Sequence, residues 1–145
     1  MLVTTALTQT DNPVAVRVNI FVVSVVGGEE QFTEATTARP GQVVEYRLFA
    51  VNTGDTTLPA GTVVITGPVP DGTQFVPNSA TPSSDSILTE FSVDGTNFSE
   101  PPVLTGGTPN RAAEPGEYRA VRWTLLTEME PGEEVTFIYR VTISN

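Results

Sequence analysis

Cysteine, histidine and lysine are all absent from this sequence. Without cysteine there are no disulfides and no thiolate nucleophile, and the composition carries no mark of an oxidising or reducing compartment. Without histidine and lysine, triads with an imidazole base, Schiff-base chemistry and most transition-metal sites lack their working groups. The missing lysine also excludes the Lys-Asn isopeptide crosslinks that stiffen many surface β-sandwiches, so rigidity has to come from packing and strand pairing. Positive charge is scarce: the seven basic residues are all arginine, at 17, 39, 47, 111, 119, 122 and 140, against 17 carboxylates, for a net charge of −10. No basic cluster exists to displace counterions from a nucleic-acid backbone or to settle on an acidic membrane surface, so neither is an expected partner. Long apolar runs are missing too. The most apolar stretch, Val14 to Val26, is interrupted by Arg17 and Asn19 and is too short to span a bilayer as a helix. Met1 to Asp11 has neither a basic start nor an unbroken apolar centre, so it is not expected to act as a signal peptide. No segment has the spacing of an amphipathic helix.

What remains is strand and turn. Pro40-Gly41 is followed by Val44, Tyr46, Leu48 and Ala50 on one side and Val43, Glu45, Arg47, Phe49 and Val51 on the other, a period of two that predicts a strand. Asn52-Thr53-Gly54-Asp55 closes it as a polar turn. The same device ends the chain, where Pro131-Gly132-Glu133-Glu134 launches Val135, Phe137, Tyr139, Val141 and Ile143 on one face. Two strands that each follow a Pro-Gly turn, one early and one last, predict the central pairing of a β-sandwich.

The rest of the chain fills in around that pair. Val14 to Val26 predicts a strand whose faces both turn apolar from Phe21 onward, which implies burial on both sides or a crossing between sheets. Gly27-Gly28 turns it into a short strand near Gln31 to Glu34. Further strands are expected at Gly61 to Thr66, at Phe75-Val76, at Ile87 to Val93 and, across the Asp94-Gly95 hairpin signal, at Thr96 to Phe98. Pro101 to Gly116 is an irregular surface loop, and Tyr118 to Leu126 the penultimate strand, with Val121, Trp123 and Leu125 inward. A chain of this length forms one domain that hides roughly 70% of its unfolded surface. The expected organisation is an extended N-terminal arm over residues 1–13 and a single all-β sandwich over 14–145. Its core is expected to hold Val44, Tyr46, Leu48, Val121, Trp123, Leu125, Val135, Phe137, Tyr139 and Val141.

This pattern resembles the conserved-repeat, immunoglobulin-like domain of bacterial and archaeal surface proteins. The resemblance rests on Pro40-Gly41, the inward Tyr46, Asn52-Thr53-Gly54-Asp55, the valine strand Val63 to Ile65, Pro70-Asp71-Gly72 with Phe75, Trp123, and Pro131-Gly132-Glu133, spanning about Gln42 to Val141. Gly67-Pro68 stands where that family usually carries an aspartate. An immunoglobulin-like sandwich is the fold it implies. A lysine-free, cysteine-free β-domain with an extended arm resembles, as a whole chain, the capsid decoration proteins of thermophilic tailed phages. That second resemblance implies a non-enzymatic cement protein on the exterior of a virion, binding the major capsid protein and its own copies, with a trimer preferred. The alternative is a cell-envelope or filament subunit of a thermophilic bacterium, located at the cell surface.

Candidate chemistry is sparse. Glu128, Glu130, Glu133 and Glu134 are the densest carboxylates, but they flank a tight turn where solvated charge is the ordinary finding. Asp71-Gly72 and Asp94-Gly95-Thr96-Asn97 are explained by turn chemistry without calcium. Asn97-Phe98-Ser99 fits a glycosylation pattern by accident of composition. No catalytic residue, cofactor or metal is expected. Loop aromatics that would serve sugar recognition are few, Phe32 and Phe98 being the main ones. The residues expected to matter are those of an assembly arm, Leu2, Val3, Leu7 and Pro13. Met1 to Thr10 is uncharged and β-branched, suited to adding itself as a strand to a neighbour's open sheet edge.

Overall fold

The computed structural model describes residues 13–34 and 37–144. Eight strands follow one another as β1 (Val14–Val26), β2 (Glu29–Glu34), β3 (Val43–Asn52), β4 (Val64–Pro68), β5 (Thr73–Phe75), β6 (Ile87–Ser92), β7 (Ala120–Leu125) and β8 (Glu134–Ile143). A 3-10 turn at Pro115–Glu117 precedes β7, and no α-helix occurs among the described residues. The strands form two antiparallel sheets, a five-stranded one in the order β2-β1-β3-β8-β5 and a three-stranded one in the order β4-β7-β6. The two strands launched by Pro-Gly turns do pair: Val44 lies opposite Val141, Tyr46 opposite Tyr139 and Leu48 opposite Phe137.

The core sits where the smaller sheet covers this pair. Nine of the ten expected core residues are buried; Val135, near the start of β8, is half-buried. Trp123 of β7 stacks on Phe137 with ring centroids 5.0 Å apart and tilts against Tyr139 at 5.8 Å. Its indole N–H donates to the Thr81 carbonyl at 3.0 Å, so the largest side chain is buried with its one polar atom satisfied. Tyr139 donates its hydroxyl to the Pro68 carbonyl at 2.6 Å and passes beside Gly67, where a Cβ would meet its ring at 2.6 Å. Glycine at 67 is therefore what lets β4 approach β8 this closely. Pro68 ends β4 on an edge, where a missing N–H costs no ladder bond.

Asn52 joins the two turns that the sequence reading singled out. Its side chain is buried; its Nδ2 donates to the carbonyls of Thr56 and Met129, both at 3.0 Å, and its Oδ1 accepts from the Gly54 N–H at 3.0 Å. Main-chain bonds from Asn52 N–H to Glu133 and from Gly132 N–H to Asn52 complete the clasp. Leu58 and Met129, bridged to each other, are buried beside it.

Three expectations are corrected. Val14–Val26 is one continuous strand, but its far end is not buried on both sides: Val25 and Val26 are 69% and 63% exposed. The smaller sheet has only three strands and does not reach the β1–β2 hairpin, whose β2 residues are all exposed. Thr96 to Phe98 forms no strand; only Ser99 returns to Phe91, in a single bridge. The cause is Asp94, whose carboxylate takes the N–H groups of Thr96 and Asn97 and holds the chain in a turn. The third difference is that the valine strand begins at Val64 rather than Gly61.

Candidate interaction surface

The structure separates the residues named from sequence into two groups. Tyr46, Leu48, Trp123, Phe137 and Tyr139 are together in the core. Of the arm, Leu2, Val3 and Leu7 lie outside the described residues, and Pro13 stands just before β1, its carbonyl accepting both the N–H and the hydroxyl of Thr53 at 2.9 Å. Pro13 also packs on Gly54, where an added Cβ would lie 2.8 Å from its ring. Pro13 is thus fixed to the turn that follows β3.

The outer face of the larger sheet carries an ionic and aromatic network. Glu45, on the solvent side of β3 by alternation, is nonetheless buried between Arg47 and Arg140, which both donate to its carboxylate. Arg140 of β8 also reaches Glu30 of β2 with two bonds, at 2.8 and 2.9 Å. Those bonds hold the Glu30 carboxyl below the usual carboxylate range and the Arg140 guanidinium above its own. Arg47 lies over the rings of Phe21 and Phe32, at 4.3 and 4.7 Å. Phe32 is therefore not a loop aromatic waiting for a sugar; it is a β2 residue packed edge-on against Phe21. Phe98 is likewise covered, by Arg122 at 4.3 Å. The network links the protruding hairpin to the far side of its sheet. Sequence reading missed it because alternation assigned Glu45 to solvent.

The edges of that sheet are unequal. β2 pairs with Phe21 to Val26 of β1, while β3 pairs with Val14 to Val23 from the other side. The flank of β1 from Val14 to Ile20 consequently has no strand beside it among the described residues. Its one charged residue is Arg17, which lies over Phe49. The outer edge of β2, in contrast, carries Glu29, Glu30 and Glu34, and such charges oppose edge-to-edge pairing of like copies.

No family model, curated protein or solved structure matches this chain. Local chemistry therefore has to carry the functional reading. Glu133 accepts the Glu130 N–H within the last turn, and Glu134 stands 4.0 Å from Arg17. Asp71 pairs with Arg119 across exposed surface. Asp94 is held well below the usual carboxylate range by the Asn97 backbone N–H first, then by the Asn97 side chain, the Thr96 N–H and the Ser92 hydroxyl. Glu133, Glu134, Asp71 and Asp94 are thus each engaged by a turn or an arginine, and no group of three acidic side chains placed to hold a metal ion occurs among the described residues.

Proposed function

We propose that this chain is a non-enzymatic structural protein that assembles with its own copies and decorates the exterior of a viral capsid. The observation that carries the reading is the flank of β1 from Val14 to Ile20, which no strand covers among the described residues and which comes soon after the uncharged segment containing Leu2, Val3 and Leu7. A flank of unpaired N–H and C=O groups is a template for an added strand, and a neutral β-branched segment suits it better than the acidic β2 edge of another copy. With one segment given and one received by each subunit, a closed ring leaves no edge over, and a trimer is the preferred ring. The charge of −10 keeps such rings soluble and apart. The major capsid protein is the proposed lattice partner, and nucleic acid, membrane and cofactors have no part in this reading.

The immunoglobulin-like relationship belongs to the same proposal. It is supported by the two packed sheets and by Trp123 buried at their interface on the middle strand of the smaller one. The strand order departs from the immunoglobulin arrangement: the last two strands lie in different sheets, β8 pairing with β3 and β5 rather than with β7, and the larger sheet carries the β1–β2 hairpin at its edge.

The test is to mix the purified protein with empty shells of its virus's major capsid protein. Saturable co-sedimentation and a rise in the shells' disruption temperature are expected. Absence of binding, with filaments formed by the protein alone, would favour the cell-envelope subunit instead.

A further inference from the structure

We propose that the cleft between the facing edges of β5 and β6 binds an organic cation on an aliphatic stem, the side chain of an arginine or lysine supplied by a partner protein. This inference does not depend on the lattice reading, and its test uses the isolated protein. The cleft has a volume of about 570 Å³, enough for one extended side chain. Its floor is a cluster of three rings: Phe91 and Tyr118 stack at 4.6 Å, and Phe75 meets Phe91 edge-on at 5.3 Å and Tyr118 at 5.6 Å. Pro101 and Pro115 add rigid apolar walls, and Asn78 and Glu100 stand at the exposed rim. Asn78 is held at φ +62°, the one residue other than glycine with positive φ among those described.

Charge decides what such a cleft takes. No arginine lines it, so an anion would find no counter-charge. The Glu100 carboxylate has no hydrogen bond or ion pair with any described residue. Burial, and then the charge of nearby Glu114, raises the Tyr118 hydroxyl above the ordinary phenol range. On the inner wall the Thr89 hydroxyl donates to the Thr81 carbonyl at 2.8 Å and the Ser83 hydroxyl accepts the Thr89 N–H at 2.8 Å, so the charged group left without a partner among the described residues is the Glu100 carboxylate at the rim. Phe75 and Tyr118 are buried and Phe91 is partly exposed, so the Phe91 ring beside an unengaged carboxylate is what suits a cation, its stem lying along that ring and the prolines. The molecule uses the same chemistry internally, with Arg17 over Phe49 at 4.4 Å and Arg122 over Phe98 at 4.3 Å.

The experiment is a titration of the protein with N-acetyl-arginine methylamide, followed by NMR of the aromatic and amide resonances. Shifts confined to Phe75, Phe91, Tyr118 and the surroundings of Glu100 are expected, with a Kd on the order of millimolar. The neutral citrulline analogue should shift them far less, and Glu100→Gln, an exposed substitution checked by an unchanged Tm, should weaken binding about fivefold. Equal binding of the citrulline analogue, an unaltered Kd in the variant, or no shift in the cleft would each overturn the proposal. Putrescine binding more tightly than the capped arginine would overturn the assignment to a partner's side chain.

Discussion

Asn52 and Trp123 do different work in the same core. Trp123→Ala removes a ring stacked on Phe137 and should cost about 3–5 kcal/mol. Asn52→Ala removes little volume but leaves the Gly54 N–H and the Thr56 and Met129 carbonyls without their partner, which should cost about 2–3 kcal/mol. Urea unfolding measures both, and a loss within error of zero at Asn52 would mean that water replaces all three bonds. Tyr46, Tyr118 and Tyr139 supply a second check. Burial raises all three phenols above 10.0, Tyr139 furthest, with the Tyr46 hydroxyl buried and without a hydrogen bond. The folded state therefore keeps these protons longer than the unfolded chain does. The stability they contribute is fully present below pH 10 and is lost as pH rises through the folded-state values. Absorbance of tyrosinate should appear above pH 10 together with unfolding; tyrosinate forming in a folded protein at pH 10 would contradict the burial.

Strand alternation carries much of the architecture because each inward side chain of β3, β7 and β8 is buried by its own register. Val44, Tyr46 and Leu48 can be read from order alone. Glu45 cannot, since its burial depends on Arg140 and on a hairpin far away in the chain. Val25 and Val26 mislead for the opposite reason: an apolar run does not say whether a second sheet extends far enough to cover it. The aromatic cleft is equally hidden, because Phe75, Phe91 and Tyr118 come from β5, β6 and the turn before β7, and only the packing of two sheet edges brings them together. The hairpin's attachment is testable. Arg140→Met removes both bonds to Glu30 and one from the buried Glu45, and should cost about 2–3 kcal/mol. Amides of β2 should then exchange markedly faster relative to those of β3 and β8. Unchanged β2 exchange would show that the hairpin is held by β1 alone.

The proposed assembly places demands on the whole molecule that its core does not. The larger sheet offers an acidic edge at β2, a flank at β1 whose one charge is Arg17, and an apolar tip at Val25 and Val26, three surfaces of different chemistry. No metal-holding cluster of acidic side chains occurs among the described residues, and treatment with a chelator is expected to leave Tm unchanged; a fall of several degrees would reveal a cation bound to the folded state. The most direct measurement is sedimentation velocity of the full chain and of a chain lacking residues 1–12. Pro13 is kept because its carbonyl anchors Thr53. The shortened chain should retain the β-sheet spectrum of its parent yet sediment as a monomer, while the full chain sediments as a trimer. A full chain that stays monomeric at high concentration, or a shortened chain that still sediments as a trimer, would contradict assembly through the arm.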